Sequence, residues 1–435
     1  MVARLLVPAL LLCDPECTVV RDAAVDITAE GRNGYCGPAA SAPETPANVT
    51  RLSGILLPGL INAHAHSPMT VLRGMGGDLP LLRWLREVIF PAEAKMTPSD
   101  VHAGMVLGSL EMLRHGVTTS AEMYYHGEQI ADAVLSTGGR TVLGVSIIDL
   151  PGLDWRPQVD AVDKWIDADG LRFGAGDRIE LSYGAHSAYL LPQEALRQVT
   201  EAAKAREALV QIHVAEAWEE DTEQRAAHGT VPRLLDELGM LDGRVLAAHC
   251  VHLTDDDIAL FAARGVGVAH CPGSNAKLAS GIAPLAELRA AGAKVGLGTD
   301  GPASNDDLDL WHEVQLAAML SRLATGDSTA LSAEESLLLA TRGGADAIGR
   351  DDIGAVEPGR WADLVHVDLD DPTFAAGLEV PDEQLLANLV WGAGSRRVRD
   401  VWVAGDAVVA DGEPTRVDRR EAQAAVSAAV ARVRV

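Results

Sequence analysis

The stretch "GLINAHAHSPM" ends an apolar run with His64 and His66 one residue apart. On a strand, residues i and i+2 face the same way, so this pair would present two imidazoles side by side. That arrangement suits a metal ion. His213 and Glu216 in "QIHVAE", His249 in "LAAHC" and Asp300 in "GTDG" each end another short apolar segment, and His186 lies late in a fifth. Three neutral imidazoles and a carboxylate make a site for one divalent cation, zinc or ferrous iron, with a further position left for water. Such a cation lowers the pKa of its water from about 15.7 toward about 7, which points to hydrolysis. His102, His115, His126, His228 and His312 lack this placement and read as ordinary hydrogen-bonded side chains.

The segments that would position these groups number eight. They are residues 55–66, 116–124, 140–149, 179–188, 208–216, 244–251, 265–272 and 294–301, each β-rich and ending near Gly, Pro or a polar residue. Helical patterns fall between them, as in "PSDVHAGMVLGSLEMLRHG", "PQEALRQVTEAAKAREA" and "DDDIALFAARG", the last a turn and a half of amphipathic helix with Thr254 as its N-cap. Strand-helix alternation repeated eight times predicts a (β/α)8 TIM barrel, whose chemistry sits at the C-terminal ends of the strands. The candidate residues obey that rule. Both chain ends read as strands and turns, with a last helix from about Arg419. The expected organisation is therefore a small β domain from residues 1–57 and 355–435 and a metal-dependent hydrolase barrel from 58–354.

Composition narrows the partners. The 435 residues are 48% hydrophobic and 23% charged, enough to bury a large core in one or two domains. Lys and Arg number 36 against 62 Asp and Glu, so the net charge of −26 disfavours nucleic acid and anionic membranes. The five cysteines are scattered and odd in number, which argues for a reducing, cytoplasmic setting rather than a disulfide framework. Cys13, Cys17 and Cys36 lack the tight pairing of a zinc site. "MVARLLVPALLLCDPEC" resembles a signal peptide, yet Pro8 interrupts it and strand-like sequence follows, so it reads as a first strand. Gly296, Gly298 and Gly301 match G-x-G-x-x-G, but "PASNDD" follows where a dinucleotide site needs a helix.

The motifs "PGLINAHAHSPM", "HVAE", "AHCVHL", "HCPGSNAKLASGIAPL" and "GTDGPASNDDLDLW", in this order, resemble the amidohydrolase superfamily, in its branch of 5'-methylthioadenosine and S-adenosylhomocysteine deaminases. The similarity runs from about Pro58 to "DVWVAGDAVVADG". It implies one divalent metal per chain, zinc with iron or manganese as alternatives, held by His64, His66, His213 and Asp300. It further implies water attack on C6 of an adenine ring with ammonia loss. Glu216 would pass a proton to ring N1, His249 would orient the attacking oxygen, and Asp300 would accept the water proton. Glu93 in "FPAEAK" matches a glutamate that grips ribose hydroxyls, and His186 and Ser304 match other nucleoside contacts.

Relatives that accept S-adenosylhomocysteine carry arginines for its carboxylate. Val145 stands at one such position, and Arg156 is the candidate for the other. The tail preference expected is therefore for methylthioadenosine, 5'-deoxyadenosine or adenosine. Two alternatives are a hydrolase of another aminated or halogenated ring, of guanine or s-triazine type, and an inactive scaffold. A homo-oligomer is the base-rate expectation for assembly.

Overall fold

The computed structural model describes residues 3–44, 48–77, 79–219, 222–370, 372–393 and 397–434. Residues Leu60–Ala65 are buried at every position, as a strand covered on both faces must be. They form the first of eight parallel strands, followed in chain order by Val117–Tyr124, Arg140–Ile147, Ile179–Ser187, Leu209–Val214, Arg244–His249, Gly267–His270 and Lys294–Leu297. The ring closes where Ala65 bridges Asp300, whose N–H donates to the His64 carbonyl at 3.0 Å. Two candidate site residues thus seal the barrel.

The segment expected as one strand over 55–66 is two. Ile55–Pro58 belongs to a second sheet, and only Leu60–Ala65 enters the barrel. Pro58 lacks an N–H to continue a ladder. At Gly59 any Cβ would sit 2.0 Å from Thr118 Oγ1, so a bare backbone lets the chain cross between sheets.

The second sheet joins the chain ends. Ile55–Pro58 pairs in parallel with Ala3–Leu11 and antiparallel with Leu364–Val367, and the sheet continues through Val398–Val403 and Asp406–Ala410 on one side and Val19–Ile27 and Asn33–Pro38 on the other. The N-terminal apolar run is accordingly a strand, with Pro8 falling between the paired positions Val7 and Ala9.

Helix ends follow local chemistry. Thr97 and Asp100 form a capping box at Pro98–Arg114, and Thr254 and Asp257 form another at Asp255–Arg264. The latter helix has 10 residues, longer than the turn and a half expected, because Phe261 and Ile258 both bury and Gly265 supplies the left-handed stop. The last helix, Arg419–Val433, packs on Pro98–Arg114, where Arg432 pairs with Asp100.

Structural charges gather at the strand starts. Arg140 pairs with Asp363, and Arg350 reaches Glu180 at 3.1 Å, all four buried between barrel and terminal sheet. Removing one partner of such a pair costs about 3–5 kcal/mol. The strand ends are thereby left for chemistry. No described helix is long and apolar enough to cross a membrane.

Candidate active site

His64 and His66 project from the end of strand one with ring centroids 4.7 Å apart. His213 ends strand five, and its ring lies 4.9 Å from that of His64. Each outer imidazole is fixed from behind: His66 Nδ1 donates to the Met123 carbonyl at 2.5 Å, and His213 Nδ1 donates to the His186 carbonyl at 2.7 Å. Both rings therefore turn their Nε2 atoms inward, and these face each other at 3.3 Å. With both rings neutral the two lone pairs would repel, so a proton on one ring or a cation between them must relieve the contact. His64 Nε2 is buried with no hydrogen-bond partner, and lies 3.5 Å from Asp300 Oδ1, which is 3.2 Å from His66 Nε2.

Electrostatics agree. Burial pushes His64 down to about 4 and His186 to about 3, and carries His213 well below the usual imidazole value. His66 is the exception: burial opposes its charge, but the hydrogen bond to Asp300 and that carboxylate's field raise it to about 9. The cluster retains one positive charge on its own. Four inward donors, three imidazoles of which only His66 must shed a proton and a carboxylate held well below its usual range by His64 and His66 despite burial, fit a divalent cation. His249 also stands within ligand distance of His64 and Asp300, a closeness not foreseen for a residue read as orienting the attacking oxygen.

The backbone bends to aim these groups. Ala215, His249 and Asp300 adopt φ of 50°, 71° and 60°, a left-handed conformation that costs a non-glycine residue roughly 1–3 kcal/mol and concentrates at functional sites. Gly298 allows the close approach opposite them, since a Cβ there would lie 2.8 Å from His64 Cβ. This packing accounts for a glycine of the apparent dinucleotide motif.

Glu216 lies just past strand five, with Oε2 3.7 Å from His249 Nε2. The cavity over the donors is lined by His66, His213, Glu216, His249 and Asp300, and also by Glu93, His186 and Ser304. Glu93 is held against Tyr124; its Oε1 is buried without a protein partner, and burial raises its carboxyl to about 7. Ser304 donates to Asp300 Oδ2 at 2.6 Å, so its hydroxyl also orients that carboxylate. Arg156 is not brought to the cavity. It sits on the solvent side of the first turn of helix Trp155–Asp169, half exposed and bound to Glu194 at 3.1 Å and Asp154 at 3.3 Å.

Residues 55–408, more than three quarters of the chain, match the amidohydrolase family. The chain belongs to the amidohydrolase family. This amidohydrolase is 41% identical over 396 residues, 89% of each chain, to a protein of Pelotomaculum thermopropionicum named 5-methylthioadenosine/S-adenosylhomocysteine deaminase. It is 38% identical, over 84% of each chain, to the 5'-deoxyadenosine deaminase of Methanopyrus kandleri. Among solved structures it superposes on an adenosine deaminase of Xanthomonas campestris with bound zinc at a TM-score of 0.90 and 34% identity, covering 99% of this chain and 98% of that one.

Several supporting residues of the amidohydrolase carried no assigned role in the sequence reading. Ser274 donates to Asp300 Oδ2 at 2.7 Å, and Asn275 Oδ1 accepts from His249 Nδ1 at 2.9 Å, which leaves His249 Nε2 facing Glu216. Both lie in "HCPGSN", so the motif marked them, though not what they touch. Glu313, buried in the helix Leu310–Thr325, accepts from Gly273 N at 2.8 Å and Asn305 Nδ2 at 2.9 Å and so holds that loop. Glu122 accepts from Ser67 N and Oγ at 2.9 and 2.6 Å beside His66. Asn275→Ala should cost about 10–100-fold in kcat with the fold intact, the usual effect of losing a partner that orients a site imidazole. Steady-state kinetics beside a circular dichroism melt checks this, and unchanged kcat would show that His249 needs no such support.

Proposed function

We propose that this amidohydrolase is a zinc-dependent hydrolytic deaminase of adenosine-type nucleosides, converting adenine to hypoxanthine and releasing ammonia. Its donor set and its full-length relatives agree on the chemistry. The observation that carries the nucleoside assignment is Glu93. A buried carboxylate oxygen without a protein partner, in the same cavity as the donors, is an acceptor waiting for ligand hydroxyls. A bare guanine or triazine ring would leave it unmet.

His64, His66, His213 and Asp300 would hold the cation. When bound, it would polarise a water and bring its pKa toward about 7. Asp300, with Oδ2 occupied by Ser274 and Ser304, offers Oδ1 to the water proton. His249, its Nδ1–H fixed by Asn275, turns Nε2 to the attacking oxygen. Glu216 delivers a proton to ring N1 as C6 accepts the oxygen, the proton taken up by Asp300 then passes to the amino group as the C6–N bond breaks and ammonia leaves, and the hydroxyl proton returns to Glu216 as the C6 carbonyl forms. His186 and Glu93 place the nucleoside. With all donors and Glu216 in place, a scaffold reading has no support.

Glu93 gives a pH signature. Its carboxyl is raised to about 7, so it is protonated below that pH and becomes an acceptor-only carboxylate above it. For the wild type, kcat/KM on an adenosine-type nucleoside should rise as pH increases through about 7. Glu93→Gln should raise KM about 10–100-fold, the scale of a hydrogen bond to a charged group, and remove the pH dependence of KM near 7, while the limb from the cation's water stays in kcat. An unchanged pH dependence of KM in the variant would place that ionisation elsewhere.

A further inference from the structure

We infer that Cys13 and Cys17 form a redox site, a thiol pair that closes reversibly to a disulfide and staples the first hairpin of the terminal sheet.

Strands Ala3–Leu11 and Val19–Ile27 pair antiparallel with Leu11 opposite Val19, and the Leu12 N–H donates to the Thr18 carbonyl at 3.0 Å. Carried one step further, that register sets Cys13 opposite Cys17 across the loop of Asp14, Pro15 and Glu16. Residues opposite each other on antiparallel strands have Cα atoms about 4.5–5.5 Å apart, inside the span of about 4.4–6.8 Å that a disulfide bridges. The side chains converge as well, with the two sulfurs 3.6 Å apart. Asp14 holds the loop in shape: its carbonyl accepts from Cys17 N at 3.0 Å, and its carboxylate accepts from Thr18 N and Oγ1, both at 2.8 Å. Cys13 and Cys17 keep φ of 46° and 47° in this loop, a left-handed conformation that non-glycine residues rarely adopt.

Burial sets when the pair reacts. Both thiols are buried, and the hydrogen bond to Cys17 together with exclusion from water raises the Cys13 thiol well above its usual value. The pair therefore stays as thiols in a reducing setting and reacts when the hairpin tip, where Pro15 and Glu16 are exposed, opens locally. The oxidant is a small disulfide such as oxidised glutathione. One cysteine gives its proton to water, and its thiolate attacks a glutathione sulfur and releases one glutathione thiolate. The second cysteine, deprotonated in turn, attacks the protein sulfur of this mixed disulfide and releases the other. Two electrons pass from the cysteine pair to glutathione, and the two released thiolates take up the two protons. The resulting bond removes freedom from the unfolded chain and so favours the folded one.

The test uses the full-length, zinc-loaded enzyme, held overnight in oxidised glutathione, then unfolded in iodoacetamide and digested with trypsin. Cleavage after Arg4 and Arg21 leaves Cys13 and Cys17 together in one peptide, apart from Cys36, Cys250 and Cys271. By mass spectrometry that peptide should be lighter by two hydrogens and carry no alkyl group, and dithiothreitol before alkylation should restore two alkylated thiols. The closed enzyme should melt about 2–4 °C above the reduced one. Cys17→Ala should abolish both the mass change and the gain in melting temperature. Two alkylated thiols in the wild-type peptide after oxidation would overturn the inference. So would a closed form that melts no higher than the open one, or a melting gain that survives in Cys17→Ala.

Discussion

Glu216→Gln should lower kcat by about 10²–10⁴-fold while leaving the bound metal at wild-type stoichiometry. Glutamine keeps the volume and polarity of this buried position but has no proton to deliver to the ring. Glu216 also stands outside both groups of inward donors that lie within 4.8 Å of one another, so its replacement removes no ligand. Its carboxylate is 3.7 Å from His249 Nε2, close enough for the two to act on one bound water. Metal analysis with kinetics on the purified variant separates the outcomes. Near-native turnover would mean that the ring proton takes another route, and loss of metal would make Glu216 a ligand.

Stripping the metal with a chelator should abolish turnover, by more than about 10⁴-fold, and lower the melting temperature. The rate loss follows because a water of pKa near 15.7 offers almost no nucleophile at neutral pH. The stability loss follows from linkage, since a ligand that binds only the folded chain at 100 times its Kd contributes about 2.7 kcal/mol. Metal return should also release protons. His66, raised to about 9, is protonated below that pH in the metal-free chain and must give up its proton to become a ligand. Affinity should therefore rise with pH up to about 9. Calorimetry in buffers of different ionisation enthalpy would measure the proton release, and full activity in chelator would remove the metal from the account.

The site was legible in the sequence because barrel topology turns linear order into position. His64, His66, His213, His249 and Asp300 each end an apolar segment, and the ends of parallel strands meet at one face, so segment order alone brought them together. What stayed hidden depends on tertiary contacts. The run from Ile55 to Ala65 is apolar throughout, and no period shows that Gly59 passes the chain from one sheet to the other under Thr118. Glu313 looks like the polar face of a helix in "LDLWHEV", and only the fold presses it against Gly273. Arg156 misled for a related reason: a loop position near the right strand says nothing about side-chain direction, and helix Trp155–Asp169 turns it to solvent. Glu93 was reached through resemblance alone, since "PAEAK" reads as a solvated helix end until Tyr124 and the cavity enclose it.

The most direct test of the central claim is a zinc-supplemented assay of ammonia release, read beside the adenine-to-hypoxanthine absorbance change, on methylthioadenosine, 5'-deoxyadenosine, adenosine and S-adenosylhomocysteine. Equimolar ammonia and hypoxanthine nucleoside from at least one of the first three is the predicted result. No ammonia from any of the four by enzyme carrying about one metal per chain, with turnover only of guanine or an s-triazine, would contradict it.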